Sequence, residues 1–206
     1  MMRIRIRGSP GIKAEGKCGK DLKWEFDRDS GTLTITGNGD MADGNDEDSV
    51  WKGYPLRKVV ISHGVTSIGS YAFARCASLE SVEIQDSVVS IGKCAFYGCA
   101  SLLSVNIPHS VRMIKGYAFF GCTHLAHLYI SGSVRSIGEC AFFGCRSLIS
   151  VTIPDSVESV GERAFGQCLS LSSVTVPDRM SYREFRRIQD FDIAGYREGD
   201  WLGGRK

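Results

Sequence analysis

Apolar residues along this chain recur in one pattern, spaced twenty-three residues apart. Phe73, Phe96, Phe119, Phe142 and Phe165 each follow an alanine, at Ala72, Ala95, Ala118, Ala141 and Ala164. Each precedes a cysteine by three positions, at Cys76, Cys99, Cys122, Cys145 and Cys168, and a leucine by six, at Leu79, Leu102, Leu125, Leu148 and Leu171. The aliphatic pairs Val82/Ile84, Val105/Ile107, Leu128/Ile130, Val151/Ile153 and Val174/Val176 keep the same register. So do Val65, Val88, Val111, Val134 and Val157, followed by Ile68, Ile91, Ile114, Ile137 and Val160. An incomplete earlier copy begins at Leu56 and supplies Val59 and Ile61. A fixed period of roughly 20–29 residues, repeated this often, is the signature of a solenoid.

Each position keeps its type for a physical reason. A pair such as Val82-x-Ile84 is apolar at alternate positions and β-branched, which predicts a short strand with one buried face. Stacked copies lay these strands side by side in a parallel sheet at ~4.8 Å spacing, so five copies make a rod on the order of 25 Å long. Gly69, Gly92, Gly138 and Gly161 mark a turn, and Pro108, Pro154 and Pro177 mark where the strand stops. In the third copy Lys115 takes the glycine position and Gly116 follows it, which predicts a slightly altered turn and no break. The phenylalanines are expected to stack inward from coil to coil, each burial worth roughly 1.5–3 kcal/mol. No single copy can bury its own face, so stability belongs to the stack.

The two ends must hide the terminal edges of that core. Leu22, Trp24 and Phe26 alternate with polar residues, residues 28–31 turn the chain, and Leu33 and Ile35 alternate again, which predicts a β-hairpin cap. At the other end Ser181-x-x-Glu184 is a capping box, and Phe185 and Ile188 share one face of a predicted lid helix over 182–189. Phe191, Ile193, Tyr196 and Trp201 either continue that cover or belong to a tail. The chain thus divides into a basic arm (1–17), an N-terminal β cap (18–54), the repeats (55–177) and a C-terminal cap and tail (178–206).

The repeat unit S-L-x-S-V-x-I-P-x-S-V-x-x-I-G-x-x-A-F-x-G-C, read at 101–122 and again at 147–168, resembles the BspA-like branch of the leucine-rich repeats. The resemblance covers about 56–177. It reaches the N-terminal segment too, where Cys18-Gly19, Trp24, the stretch 31–37 and Trp51 are similar to the lead-in before such repeats. It implies a right-handed coil with a parallel sheet on one face. It also implies the setting of that family, bacterial and protozoan proteins of the cell surface or secreted space that adhere to host matrix and to other cells.

Charge narrows the partners. The 206 residues carry 25 lysines and arginines against 23 acids, a net +2, and the signs are interspersed, which removes the electrostatic case for nucleic acid or an anionic membrane. The exception is Arg3, Arg5 and Arg7, alternating with Ile4 and Ile6, which reads as a solvated basic arm or strand. No apolar run approaches the ~20 residues that span a bilayer. Residues 1–19 lack the apolar core of roughly 7–15 residues found in a secretory signal, so an export address is not expected and a cytoplasmic location stays open beside the surface one.

Eight cysteines invite a disulfide or zinc reading. Five of them share one repeat position, where neighbouring side chains point the same way and the disulfide torsion of ~90° is hard to reach, so a ladder of buried free thiols is expected. Cys94 and Cys140 lie two coils apart, ~10 Å by strand spacing, too far to bond, and Cys18 sits in the cap with no evident partner. Cys122, His124 and His127 are ligand types at tight spacing, yet the register aims Cys122 at the core and His127 at solvent, which defeats both a tetrahedral zinc site and a Cys-His nucleophile. The loop 40–48, with Asp40, Asp43, Asp46, Glu47 and Asp48, offers oxygen ligands for calcium but departs from the EF-hand spacing, and a solvated loop is expected. No catalytic residue, metal or cofactor is therefore predicted.

What remains is the outer side of the sheet, where alternation turns out Lys58/Val60, Ser81/Glu83, Ser104/Asn106, His127/Tyr129, Ser150/Thr152 and Ser173/Thr175. Most are small and polar. His127 and Tyr129 stand in the middle, and interface hot spots favour central aromatics, although Tyr129 could equally pack along its neighbours on a solvated sheet. The candidate binding face is Tyr129 and His127 with Asn106, Glu83, Thr152 and Thr175. The expected function is a non-catalytic binding module of adhesion or recognition type. Its partner would be a protein or other macromolecule, such as a host-matrix or cell-surface component. The alternatives are a structural element that self-associates through its ends, and a metal protein or enzyme built on the Cys/His cluster or the acidic loop. The oligomeric state is not set by the sequence.

Overall fold

The computed structural model describes residues 5–6, 13–45, 51 and 53–189. Arg3, Arg7, the acids Asp46, Glu47 and Asp48, and the tail residues Phe191, Ile193, Tyr196 and Trp201 lie outside the described residues.

The chain opens with four antiparallel strands, β1 (Arg5–Ile6), β2 (Lys13–Lys17), β3 (Leu22–Asp27) and β4 (Thr32–Gly37), and a short β5 (Gly39–Asp40). The hairpin expected from the alternation is β3–β4, pairing Trp24 with Ile35 and Phe26 with Leu33. Strands β1 and β2, from the stretch read as an arm, extend it outward. Six coils follow. Their first strands are β6 (Lys58–Ile61), β8 (Ser81–Ile84), β10 (Ser104–Ile107), β12 (His127–Ile130), β14 (Ser150–Thr152) and β16 (Ser173–Thr175). The first four extend the cap's sheet in parallel as β4-β6-β8-β10-β12, and β14 and β16 form a parallel pair of their own.

A second sheet was not foreseen. The first five coils each carry another short strand, β7 (Val65–Ile68), β9 (Ser90–Ile91), β11 (Met113–Ile114), β13 (Ser136–Ile137) and β15 (Ser159–Val160), and with β5 these make a six-stranded parallel sheet. Most are two residues long, too short for alternation to register, and they are strands only because coils stack.

Between the sheets runs the predicted column. Phe73, Phe96, Phe119, Phe142 and Phe165 are fully buried, with successive ring centroids 5.2, 5.0, 5.2 and 5.2 Å apart and no pair inclined by more than 18°. Trp51 continues the stack 6.0 Å beyond Phe73 and meets Trp24 edge-on at 5.3 Å, which closes the N-terminal end. Backbone ladders tie the same turns: the N–H groups of Phe73, Phe96, Phe119 and Phe142 donate to Ala95, Ala118, Ala141 and Ala164 carbonyls at 2.7 Å. The glycine column is a place of backbone contact, since a Cβ at Gly138 would fall 2.3 Å from the Gly116 nitrogen and one at Gly161 2.2 Å from that of Glu139. At the departure in the third copy the ladder continues, with Lys115 N–H on the Ile91 carbonyl at 3.0 Å.

The C-terminal lid is α1 (Tyr182–Ile188). Its capping box is complete: Ser181 Oγ accepts from Glu184 N–H at 3.3 Å and Glu184 accepts from Ser181 N–H at 2.8 Å. Phe185 and Ile188 are buried. The carbonyls of Arg187 and Ile188, at the end of the helix, accept from Arg163 and Phe165 N–H at 2.8 and 2.9 Å. The helix end and the fifth coil thus satisfy each other's orphan groups.

Candidate functional site

Alternation along β10, β12, β14 and β16 places Ser104, Asn106, His127, Tyr129, Ser150, Thr152, Ser173 and Thr175 in solvent, as their period of two requires. Pairing sets Asn106 beside Tyr129, Ser104 beside His127, and Thr152 beside Thr175. This part of the face carries no carboxylate, lysine or arginine. Glu83 is also exposed but belongs to the first coils, where its carboxylate meets Lys58 Nζ at 2.6 Å, next to an Arg57–Glu80 pair at 3.0 Å. The candidate face therefore splits into a charged end around Glu83 and an uncharged remainder around Tyr129.

Two exposed apolar residues adjoining its strands escaped the sequence reading. Leu103 and Ile149 are each 53 % exposed, matching Tyr129. They precede the strands of the third and fifth coils by one residue, at the position filled by Ala126 in the coil between. The Leu103 carbonyl accepts from Ala126 and His127 N–H at 3.0 and 3.3 Å, so this segment is held in the stack while its side chain faces out. The available signal was leucine and isoleucine at a repeat position that elsewhere holds Glu80, Ala126 or Ser172. The long ladder stops at β12, so Tyr129 lies on the strand that borders the seam between the two parts of the sheet.

A second ladder was also missed. Tyr97, Phe120 and Phe143, each directly after a core phenylalanine, stack at 5.0 Å spacing and are half-buried, with the Arg163 guanidinium 5.1 Å from the Phe143 ring. Gly98, Gly121 and Gly144 follow them with positive φ.

The cysteines of the repeat are free thiols, and they do more than fill space. Cys99, Cys122, Cys145 and Cys168 Sγ donate to the carbonyls of Phe73, Phe96, Phe119 and Phe142 at 3.2–3.5 Å. Burial raises the Cys99 and Cys145 thiols well above their ordinary value and pushes Cys122 up to about 12. Cys18 in the cap is raised to about 12 by the same cause. Cys122, His124 and His127 point into three surroundings: the core, the Ala100 carbonyl at 2.7 Å from His124 Nδ1, and the outer sheet face. Asp40 accepts from Thr66 Oγ1 at 2.7 Å, and hydrogen bonds from Ser67 and Thr66 hold its carboxyl below the usual range. Asp43 accepts from Ser70 N–H at 2.6 Å. Among the described residues no three potential metal ligands gather.

Comparison with known proteins agrees with this architecture. The family described as BspA type leucine rich repeat region matches in six copies, over residues 47–172 and 126–187. A leucine-rich repeat protein of T. pallidum is 29 % identical at a TM-score of 0.58, over 76 % of this chain and 69 % of its own. One from Bacteroides ovatus is 31 % identical at 0.59, over 79 % of this chain and 42 % of its own. A leucine rich cell surface protein of Faecalibacterium prausnitzii is 26 % identical at 0.53, over 84 % and 54 %. The chain thus spans about half or less of the last two. No curated protein matches it.

Proposed function

We propose, on the premise that this chain belongs to the BspA-type leucine-rich repeat family, that it is a non-catalytic module binding a protein through the outer face of its main sheet, around Tyr129. The repeat solenoid supports a protein-interaction role. The observation that carries the site is Tyr129, a large aromatic side chain 53 % exposed in the middle of a face whose neighbouring strands turn out serine, threonine and asparagine, with Leu103 and Ile149 exposed to the same extent one residue before β10 and β14. Central apolar anchors with a polar surround are the anatomy of a binding hot spot. His127, Asn106 and Thr152 supply hydrogen bonds around them, and Thr175 and Glu83 mark the rims.

An adhesive role at the cell surface is the biological form of this reading. It is supported by the family and by the likeness to the F. prausnitzii cell surface protein. The test is capture on immobilised extracellular-matrix proteins. Tyr129→Ala and a Leu103→Ser/Ile149→Ser pair should each weaken capture by about thirtyfold, the equivalent of about 2 kcal/mol. His127→Ala should weaken it less. Wild-type capture by both apolar variants, with unchanged circular dichroism, would place the contact elsewhere.

A further inference from the structure

The outer face of the main sheet changes character along the solenoid. Three rows run along it: the residue before each strand, and the first and third residues within the strand. In the first two coils these rows carry Arg57, Lys58, Glu80 and Glu83. In the next four coils the same rows hold no aspartate, glutamate, lysine or arginine, although such residues make up 23 % of the chain. An exposed surface without charge offers nothing to a phosphate, a sulfate, a sialic acid or a cationic peptide, each of which needs an opposite charge in place of its water.

The polar groups of this block are also unspent. Among the described residues, none of the side chains that β10, β12, β14 and β16 turn outward holds a hydrogen bond or an ion pair. The serines just past the strands behave differently: Ser87, Ser131 and Ser156 each donate to a carbonyl of the previous coil at 2.8–2.9 Å. The unspent groups include the hydroxyls of Ser150, Thr152 and Thr175, the Asn106 amide and the His127 imidazole, and each of these can both donate and accept.

Tyr129 stands among them at 53 % exposure, and among the described residues no second ring and no cation lies against it. Its registered neighbour on β10 is Asn106, and Thr152 holds its repeat position on β14, so the side chains beside it are smaller than its ring. In Tyr97, Phe120 and Phe143, by contrast, stacking covers ring faces. An aromatic face is electron-rich and attracts C–H bonds polarised by neighbouring oxygens. Neutral groups in both hydrogen-bonding roles around one open aromatic face are the complement of a sugar ring, whose rim is hydroxyl and whose face is C–H. Neighbouring strands stand ~4.8 Å apart, about the width of such a ring, so groups on adjacent strands reach adjacent substituents.

Granted that the partner meets the sheet around Tyr129, as proposed above, we infer that what this face takes is an uncharged glycan carried by the partner protein. One sugar ring stacks on Tyr129, and its hydroxyls bond to Asn106, Thr152 and their neighbours.

Binding of the whole chain to immobilised neutral oligosaccharides of glucose, galactose, mannose and N-acetylglucosamine, beside sialylated and sulfated ones, tests this. The protein should bind within the neutral set and not the charged one, equally at about 50 and 500 mM salt. Tyr129→Ala should weaken that binding about tenfold, whereas Tyr129→Phe, which keeps the ring, should retain most of it, with circular dichroism unchanged in both. No binding to any neutral sugar overturns the inference, and so does binding that Tyr129→Ala leaves intact. Capture on matrix glycoproteins separates the glycan from the protein contact. Enzymatic removal of their N- and O-linked glycans should abolish capture, and removal of sialic acid alone should not. Capture that survives full deglycosylation but falls with Tyr129→Ala leaves the protein contact standing and overturns the glycan, whereas capture indifferent to both treatments sinks the two together.

Discussion

One serine per repeat shows how little separates a useful buried polar group from a costly one. Ser87 and Ser156 hold the same repeat position, and each donates its hydroxyl at 2.8 Å to a carbonyl of the previous coil, Val65 and Val134. In the sixth coil Arg179 occupies this place and its guanidinium reaches the Val157 carbonyl. Ser110 holds it in the third coil, with its hydroxyl buried and unpartnered. A hydrogen bond of this kind contributes about 1 kcal/mol, whereas an unsatisfied hydroxyl costs a similar amount. Ser156→Ala should therefore lower stability by about 1 kcal/mol and Ser110→Ala should leave it unchanged or raise it, as read from urea unfolding midpoints. At this scale the sequence was legible in kind and silent on geometry. Five cysteines in one register announced a ladder of buried thiols; Cys76, in the first coil, is only half-buried, and that the other four thiols each donate to a phenylalanine carbonyl of the previous coil depends on where the stacked backbones leave an acceptor.

Among the elements, those with local signals were readable. The hairpin β3–β4 declares itself by alternation, and α1 by Ser181 and Glu184 three residues apart. Bonds from Ser181 hold the Glu184 carboxyl below the usual carboxylate range. A carboxyl depressed by folding stabilises the native state above its unfolded value, and that contribution is lost as pH falls through the folded value. Acidification into the carboxylate range should thus loosen the lid, and Glu184→Gln should flatten this part of the stability–pH profile. Ser181→Ala should cost about 1 kcal/mol at neutral pH, in the range for lost N-caps. Both are measured by thermal unfolding followed in the far ultraviolet. The short strands β9, β11, β13 and β15 were not readable, because Ser-Ile, Met-Ile or Ser-Val is too short for one β-branched residue to declare a strand before stacking supplies its partners.

The whole molecule behaves as a row of nearest neighbours, each coil meeting only those beside it. Phe119 stands between Phe96 and Phe142, so Phe119→Ala should remove two ring contacts and cost about 3–5 kcal/mol. Phe165 has a ring neighbour on one side and the lid on the other, and Phe165→Ala should cost less and fray the C-terminal end first. Hydrogen exchange read coil by coil distinguishes the two. The stacking of coils around one internal phenylalanine column was implied by the period, whereas the second sheet was not. The candidate face was implied only in part: strand alternation exposes Tyr129 and Thr152, but Leu103 and Ile149 precede their strands, where the direction of a side chain is set by the turn.

At Gly138 and Gly161 one coil rests on the backbone of another with no side chain between them, and this fixes the pitch of the spiral independently of what the outer residues are. A whole twenty-three-residue unit can then be gained or lost without disturbing the spacing of those that remain, while the gain of a single residue puts every later position out of step. Length and surface chemistry are thereby free to change separately, the first by counting units and the second by altering side chains that no neighbouring coil touches.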